Sequence, residues 1–361
     1  MKALVVNPLA RNSARLLEID EPVLSGREQL LVELVCVGVC GTDREIVQAR
    51  YGSPPSDSDY LILGHESLSR VISAPPQCDF HVGDLVVGIV RHPDPIPCPN
   101  CRIGEWDMCQ NGLYTEHGIK GLHGFCRERF TLDPEHAVKV DASLGELGVL
   151  LEPASILAKA WEHIERIGNR ALFHPKRALV TGAGSVGLLA ALMGRSRDLE
   201  VWVLDKVSEG KKPELVKRLG ARYITDLSQL ESRGPAFDIA IECTGVPELV
   251  IEVMKRIGPG GIACLTGVSS GGRLIQLDAG SWNREIVLEN GAVFGSVNAN
   301  RRHYEKAAGI LASADSAWLR DMLSLRVPLD GWRTAFENHS GDLIKITITG
   351  PAYAKIDSGK H

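Results

Sequence analysis

Residues 177–196 read RALVTGAGSVGLLAALMGRS, and this stretch decides the fold class. RALVT has the length and composition of a buried strand, and the apolar residues after Gly187 indicate a helix. The pattern Gly182-x-Gly184-x-x-Gly187 lies between them. A strand, a glycine-rich turn and a helix in this order form the context that a dinucleotide-binding Rossmann unit requires.

The three glycines of this pattern have separate roles in dinucleotide binding. One allows the tight turn, one lets the backbone approach the pyrophosphate, and one lets helix and strand pack closely, while the helix N-terminus attracts the phosphate charge. The next strand, VWVL, ends in Asp205, 23 residues after Gly182. A carboxylate there accepts hydrogen bonds from the adenosine ribose and repels a 2′-phosphate, so the sequence predicts NAD in preference to NADP.

Basic residues after Asp205 keep NADP open as a second cofactor. Lys206, Lys211 and Lys212 could attract a 2′-phosphate, or they could simply lie in a solvated loop. The predicted cofactor-binding residues are Gly182, Gly184, Ser185, Val186, Gly187, Asp205 and Lys206.

The length and composition indicate a two-domain globular protein. A chain of 361 residues exceeds the usual size of one core, and a formal charge of -5 without a basic stripe makes nucleic acid an unlikely partner. No apolar stretch has the length of a membrane span, and the N-terminus lacks the features of a signal peptide. We therefore expect a cytoplasmic protein with no membrane partner.

The elements change in character along the chain. Up to about residue 140, short β segments broken by Gly, Pro and Asp predict a barrel-like domain, and LLEPASILAKAWEHIERI then predicts a connecting helix. Strands alternate with helices afterwards, as a doubly wound parallel sheet requires. The predicted fold class is α/β: a β-barrel domain of residues 1–155, completed by the tail 301–361, and a Rossmann domain of residues 156–300.

Three of the nine cysteines crowd together in one loop. Cys98, Cys101 and Cys109 resemble three quarters of a tetrahedral structural zinc site, and a chain without a secretory signal favours metal ligation over disulfides. The fourth ligand would come from just upstream, where Asp94 is our prediction and His92 the alternative. The competing interpretation is a loop with free cysteines and no metal.

A second candidate metal site combines residues that are far apart in sequence. Cys40, His65 and Glu152 offer a thiolate, an imidazole and a carboxylate, a set that leaves one zinc position open for a substrate oxygen. Spacing alone does not establish this set, because a buried cysteine, a core histidine and a helix-start glutamate are each common without a metal.

Taken together, these residues resemble the zinc-dependent medium-chain alcohol dehydrogenase superfamily, and within it the glucose 1-dehydrogenase branch. The resemblance covers nearly the whole chain. It implies a GroES-like catalytic domain followed by a Rossmann domain. The segments that carry it are GTDREI, LILGHES, YTEHGIKGLHGF, VLLEPASILAKA, DAGSWNREIVLENGAVFGSVNAN and the closing IKITI.

The resemblance implies a role for each matching residue. Cys40, His65 and Glu152 would hold the catalytic zinc, and Glu66 would be a further ligand that exchanges in and out. Thr42 would take the proton leaving the sugar O1, while Glu116 and Asn298 would hydrogen-bond sugar hydroxyls along with Glu152. The implied reaction transfers hydride from C1 of an aldose, glucose or a similar sugar, to NAD(P)+ with zinc as Lewis acid, giving the lactone.

Alternatives to this reaction remain at the level of sequence. A polyol or amino-alcohol dehydrogenase of the same superfamily would use the same zinc, and a relative without catalysis would only bind the nucleotide. Arg44 follows the Gly-Thr-Asp run and stays protonated, so any proton relay must use another group or water. The resemblance also suggests a homodimer or homotetramer.

Overall fold

The computed structural model describes residues 1–24, 28–230, 236–269, 271–338 and 340–354, and every element below belongs to these residues. The chain divides into two compact units. Met1–Ser155 and Asn298–His361 form the first unit, and Ile156–Val297 form the second. Among the described residues, no helix has the length and apolarity needed to cross a membrane.

The first unit begins as a run of strands with two short helices. Its strands are β1 (Lys2–Val6), β2 (Arg15–Glu18), β3 (Leu30–Val39), β4 (Leu61–Ile62), β5 (Glu66–Ser73), β6 (Leu85–Gly88), β7 (Arg91–His92), β8 (Thr115–His117), β9 (Gly121–Leu122), β10 (Arg129–Leu132) and β11 (Ala137–Val140). The helices are α1 (Gly41–Val47) and α2 (Pro99–Arg102). A longer helix, α3 (Leu151–Gly168), follows and continues into the second unit.

The second unit is a parallel sheet with alternating helices, as the sequence predicts. Its strands are β12 (Arg177–Thr181), β13 (Glu200–Leu204), β14 (Arg222–Ile224), β15 (Phe237–Glu242), β16 (Ile257–Leu265) and β17 (Ala292–Gly295). Its helices after α3 are α4 (Ser185–Arg195), α5 (Lys211–Arg218), α6 (Pro247–Met254) and α7 (Ala279–Leu288). The strand order is β14-β13-β12-β15-β16-β17, all pairs being parallel, so the order reverses between β12 and β15.

The C-terminal tail returns to the first unit. It contributes α8 (Arg301–Ser313), α9 (Ser316–Met322), β18 (Leu323–Pro328), α10 (Trp332–Glu337) and β19 (Lys345–Thr349). The closing segment IKITI, whose polar and apolar residues alternate, lies almost entirely in β19, which pairs antiparallel with β3. Sequence reasoning missed β18 and α10. Residues 339 and 355–361 of the predicted tail lie outside the described residues.

The seven-stranded sheet of the first unit is built around β3. Its order is β11-β6-β5-β3-β19-β18, and β10 pairs with β3 as well. Nine of the ten residues of β3 are buried, because neighbouring strands and core side chains cover it on both faces. A core that includes Leu34, Phe125, Phe130 and Trp332 packs against this sheet and fixes the end of β3, where α1 begins.

A charged cluster attaches β18 to the segment before α3. Glu146 accepts hydrogen bonds from Arg326 Nε at 2.7 Å, from Arg326 Nη2 at 2.6 Å and from the Tyr353 hydroxyl at 2.6 Å. Burial raises the pKa of Glu146, but the hydrogen bonds from Arg326 and Tyr353 lower it by more, so the net shift is downward. The cluster therefore stabilises the fold only while Glu146 is ionised.

Glu146→Gln is expected to lower the free energy of unfolding at pH 7 by about 1 kcal/mol, because the charge-assisted bonds are lost from a partly exposed site. A carboxyl with a depressed folded-state pKa stabilises above its usual pKa and loses that effect as the pH falls. The difference from wild type should therefore shrink between pH 5 and pH 3, roughly. Urea unfolding across this range measures it, with the exposed Glu18→Gln as control; a difference independent of pH would contradict the assignment.

Candidate active site

The residues at the start of α1 place a thiol and an imidazole side by side. Cys40 is the N-cap of α1, and its Sγ accepts the N–H of Thr42 at 3.2 Å. In return, Asp43 Oδ2 accepts the backbone N–H of Cys40 at 2.9 Å. His65 Nε2 lies 3.1 Å from Cys40 Sγ. The two predicted ligands therefore meet, although they are 25 residues apart.

Asp43 lies behind the imidazole. Its Oδ1 is 3.4 Å from His65 Nδ1, which is the arrangement in which a carboxylate fixes the ring orientation of a metal-binding histidine. Burial lowers the pKa of His65, but Cys40 and Asp43 raise it more, and the net shift is well upward. The surroundings of this ring thus favour a positive charge, as a metal ion would supply.

Glu66 completes the cluster. One ligand atom each from Cys40, His65 and Glu66 lies within 4.8 Å of the others, a fit for one zinc ion, whose bonds to sulfur and nitrogen are about 2.0–2.3 Å long. Lys345 of β19 donates to Glu66 Oε1 at 2.7 Å, and both side chains are buried. Gly38 leaves space for this pair, since a Cβ there would lie 2.0 Å from Glu66 Oε2.

Glu152 lies in the first turn of α3 and is buried, but its carboxylate is not part of that 4.8 Å set. Burial raises its pKa to about 7, and His65, Glu66 and Lys345 also act on it electrostatically. The carboxyl therefore belongs to the same electrostatic neighbourhood. Its role as a zinc ligand stays a prediction.

The three cysteines of the predicted lobe also meet. The sulfurs of Cys98, Cys101 and Cys109 lie within 4.8 Å of one another, with 3.6 Å between the first two. N–H donors from Gln110 and Cys101 lower the pKa of the Cys98 thiol to about 6, so a thiolate is favoured there. This donor set is suited to zinc.

Asp94 is the better candidate for the fourth lobe ligand. Its Oδ1 accepts the N–H of Ile96 at 2.8 Å, Oδ2 is buried without a hydrogen-bond partner among the described residues, and its backbone N–H bonds the Cys101 thiol. The carboxylate is nevertheless not within the 4.8 Å set. His92 instead stacks on His136 with ring centroids 3.8 Å apart. Asp94 as ligand stays a prediction.

Cys101→Ser is expected to reduce the zinc content from about two ions per chain to about one, and to lower the urea midpoint of unfolding, because a structural zinc adds its binding energy to folding. Asp94→Asn should give a smaller loss of the same kind. Elemental analysis and urea unfolding measure both effects, with the half-buried Cys78→Ser as control. An unchanged zinc content in Cys101→Ser would remove the lobe site.

The two predicted sugar contacts, Glu116 and Asn298, bond to each other. Asn298 Nδ2 donates to Glu116 Oε1 at 2.7 Å, and Arg91 donates to the same oxygen from Nε at 3.1 Å and from Nη2 at 3.0 Å. Glu116 Oε2 accepts no hydrogen bond from the part of the chain that the structure describes. It is therefore available to a ligand hydroxyl.

Asn298 keeps spare bonding capacity despite its two protein partners. Its Oδ1 accepts the N–H of Ala299 at 2.8 Å, and the residue adopts a left-handed backbone with φ of 62°. An amide has two N–H donors and two acceptor lone pairs, so one of each remains. The side chain of Asn298 is buried, and asparagine adopts a left-handed backbone more readily than most residues, so its role as a sugar contact stays a prediction.

The glycine-rich loop of the second unit fits a pyrophosphate. Gly182 has φ of +88°, and a Cβ at Gly187 would lie 1.8 Å from the Gly182 carbonyl oxygen. Gly184 is the N-cap of α4, and no side chain caps that helix end. A Cβ at Gly184 would meet no atom within 4 Å, so the helix N-terminus is open to a phosphate.

Asp205 is already engaged with the protein. Its Oδ2 accepts the N–H of Ala183 at 2.7 Å and faces Lys212 Nζ at 3.4 Å, and its Oδ1 accepts the N–H of Val207 at 3.0 Å. Lys212 is buried, whereas Lys206 is exposed. The ammonium of Lys212 offsets the carboxylate charge, which weakens the predicted exclusion of a 2′-phosphate.

Sequence reasoning assigned no role to Asp43, Arg91 or Lys345. The Gly-Thr-Asp run beside Cys40 contains a signal for Asp43, and the polar residues of β19 contain one for Lys345. Only the fold shows the partners of these two side chains. Arg44 caps α10 with bonds from its guanidinium to the carbonyls of Phe336 at 2.6 Å and Ala335 at 2.9 Å. It thus joins α1 to the tail and serves structure rather than proton transfer.

Two family models cover most of the chain. The alcohol dehydrogenase GroES-like domain matches residues 26–142, and the glucose dehydrogenase C-terminus matches residues 145–349. The glucose 1-dehydrogenase of Methanocella arvoryzae is 38% identical over 96% of this chain and 99% of its own length. The chain belongs to the glucose dehydrogenase family.

Other members of the glucose dehydrogenase family agree with this assignment. The glucose 1-dehydrogenase of Thermoproteus tenax is 40% identical over 96% of this chain and 99% of its own length. The glucose dehydrogenase of Haloferax mediterranei, solved in complex with NADP, Zn and gluconolactone, is 31% identical with a TM-score of 0.88 over 97% of this chain and 99% of its own. The predicted resemblance and the fold class are confirmed.

Proposed function

We propose that this protein oxidises C1 of an aldose, glucose or a similar sugar, to the lactone, with NAD(P)+ as hydride acceptor. The observation that carries the proposal is the contact of Cys40 Sγ with His65 Nε2 at 3.1 Å, backed by Asp43. This pair lies in a chain whose Haloferax mediterranei relative holds NADP, Zn and gluconolactone.

We propose that Cys40, His65 and Glu152 hold the catalytic zinc, with Glu66 as the exchanging ligand. Bound zinc would act as a Lewis acid that lowers the pKa of the anomeric hydroxyl. Lys345 donates hydrogen bonds to both carboxylate oxygens of Glu66 and partly neutralises their charge. Glu66 is therefore a weaker zinc ligand than Cys40. We assign the four lobe residues Asp94, Cys98, Cys101 and Cys109 to a structural zinc.

The remaining polar residues act on the sugar. Glu116 accepts a sugar hydroxyl bond at Oε2 while Arg91 and Asn298 hold its other oxygen. Asn298 offers its remaining amide donor and acceptor. The Thr42 hydroxyl would accept the proton that leaves the sugar O1 while it passes its own proton to water. These side chains bind and orient the substrate, so that binding energy is used to align C1 for hydride transfer.

The cofactor site is formed by Gly182, Gly184, Ser185, Val186, Gly187 and Asp205, with Lys206 at its edge. The loop and the N-terminus of α4 would bind the pyrophosphate of the cofactor, and the cofactor would supply the hydride acceptor when bound. We propose that NAD is preferred, because the Asp205 carboxylate repels a 2′-phosphate. We propose that NADP is also used, because the Lys212 ammonium lies beside that carboxylate.

Asp205→Ser is expected to raise the ratio of kcat/KM with NADP to that with NAD on the order of tenfold, because the carboxylate that repels a 2′-phosphate is removed while Lys212 stays. Initial rates with both cofactors at fixed sugar measure this ratio. Glu209→Gln, an exposed change in the same loop, is the matched control. A ratio equal to that of wild type would refute the role of Asp205.

A substrate panel tests the proposed reaction against its two rivals. Glucose, galactose, xylose, sorbitol and threonine are supplied with NAD and NADP, and reduced cofactor is read by absorbance. Turnover of aldoses supports the proposal, whereas turnover only of sorbitol or threonine indicates the polyol or amino-alcohol alternative. Dinucleotide binding without any turnover indicates a non-catalytic relative, which the assembled Cys40, His65 and Glu66 cluster argues against.

Assembly and cellular location are proposals that rest on the sequence. We propose a homodimer or homotetramer located in the cytoplasm. The edge strand β17 is only partly buried, and Val287 and Leu288 of the neighbouring helix α7 are 63% and 62% exposed. An apolar surface of this kind, beside an unpaired strand edge, is suited to a second copy of the chain.

A further inference from the structure

Glu242 is a buried carboxylate at the carboxyl edge of the parallel sheet. It is the last residue of β15, and its side chain has no accessible surface. No basic side chain of the described residues pairs with it. A buried carboxylate at such a place is costly unless hydrogen-bond donors surround it.

The donors come from the loops on both sides of the strand reversal. Glu242 Oε1 accepts the Thr181 hydroxyl at 3.1 Å, the Thr244 N–H at 2.7 Å and the Thr244 hydroxyl, and Oε2 accepts the Gly245 N–H at 3.1 Å. Thr181 directly precedes the glycine-rich loop, while Thr244 and Gly245 follow β15. One carboxylate therefore ties the end of β12, where the glycine-rich loop begins, to the loop that follows β15.

The loop after β16 joins the same residue through the backbone. The Glu242 carbonyl oxygen accepts the N–H of Thr266 at 2.8 Å, the Thr266 hydroxyl at 2.7 Å and the N–H of Gly267 at 3.0 Å. A Cβ at Gly267 would lie 2.6 Å from Glu242 Oε2 and 2.1 Å from the Gly245 nitrogen. The three loops thus pack at contact distance around Glu242.

These loops border the crevice where a doubly wound sheet binds its ligand. Ligands of such sheets lie outside the carboxyl ends of the strands where the strand order reverses, here between β12 and β15. We propose that Glu242 is a positioning residue for the dinucleotide: it holds the three loops in the arrangement that accepts the pyrophosphate and the nicotinamide half. This inference rests on the proposed dinucleotide-dependent function.

The variant Glu242→Gln tests this role. An amide can replace only one oxygen, so in either orientation its N–H₂ faces a donor, either Gly245 or the donors on Oε1. We expect the Kd for NADH and NADPH and the KM for NAD(P) to rise about tenfold, whereas kcat at saturating cofactor and the KM for glucose change less than about twofold. Fluorescence titration and initial rates measure these values. The control is Glu200→Gln, which changes a carboxylate at the N-terminal end of β13, away from the carboxyl edge of the sheet.

The outcomes separate positioning from simple stabilisation. A lower unfolding temperature with an unchanged Kd would overturn the inference, because the carboxylate would then only stabilise the fold. Failure of the wild-type protein to bind either dinucleotide would overturn the proposed function as well. If Glu242→Gln does not fold, the near-isosteric Thr181→Val removes one donor, and we expect its Kd to rise about threefold; no rise in that variant would also overturn the inference.

Discussion

His65→Ala is expected to lower kcat/KM for the sugar more than about 1,000-fold while the fold stays intact, because Lewis-acid stabilisation worth several kcal/mol is lost with the metal. The imidazole contributes the nitrogen that faces Cys40 Sγ at 3.1 Å, and no other ring of the described residues takes part in that cluster. Initial rates, elemental analysis and circular dichroism measure the three quantities.

The control for this variant is His81→Ala, which removes a histidine whose side chain is 78% exposed. It should leave rate and zinc content unchanged. His65→Ala should lose the catalytic zinc and keep the lobe zinc, so that one ion per chain remains, roughly. Undiminished turnover by His65→Ala would refute the metal mechanism, and a collapsed fold would be recognised by the loss of both ions together.

Glu116→Gln is expected to lower kcat/KM for glucose about 100-fold, mainly through a higher KM. The buried carboxylate accepts three bonds at Oε1, two of them from Arg91, and loss of its charge leaves that guanidinium without a counter-ion. Charge-assisted bonds are worth about 1.5–3 kcal/mol each, and a sugar hydroxyl on Oε2 loses an acceptor of the same kind.

Two measurements separate sugar binding from folding in this variant. The KM for NAD(P) should stay within about twofold of wild type, because the Rossmann unit is untouched. Glu135→Gln, which changes an exposed carboxylate of the first unit, serves as the control. If Glu116→Gln turned over glucose like wild type, Glu116 would be a purely structural partner of Arg91.

The local features of the fold were predictable from the sequence. The turn at Gly182 needs a positive φ and close backbone contacts, and these are properties of adjacent residues that a short pattern reveals. Asp205 was found in the same way, because strand length fixes its distance from the loop. Lys212 was named only as one of three nearby lysines, and its pairing with Asp205 was not foreseen, since that contact depends on how α5 packs.

The candidate metal cluster of Cys40, His65 and Glu66 was predictable only in part. Cys40 and His65 could be proposed from ligand chemistry, whereas the partner of Glu66 is 279 residues further along the chain. Alternation of polar and apolar residues is typical of a half-buried strand, but in β19 the polar Lys345 and Thr347 are buried like Ile346 and Ile348. Alternation gives the two faces of a strand, and it does not reveal that a second layer covers the polar one.

The place of β19 in the sheet has a consequence for biosynthesis. Because the strand that carries Lys345 pairs with β3 and follows the whole second unit in the chain, the first unit cannot close its sheet until nearly all of the protein has left the ribosome. The segment that forms the Rossmann unit is continuous in the chain and can fold during synthesis. The Glu66 carboxylate lacks its ammonium partner throughout that interval, so the candidate metal cluster is among the last parts of the molecule to mature.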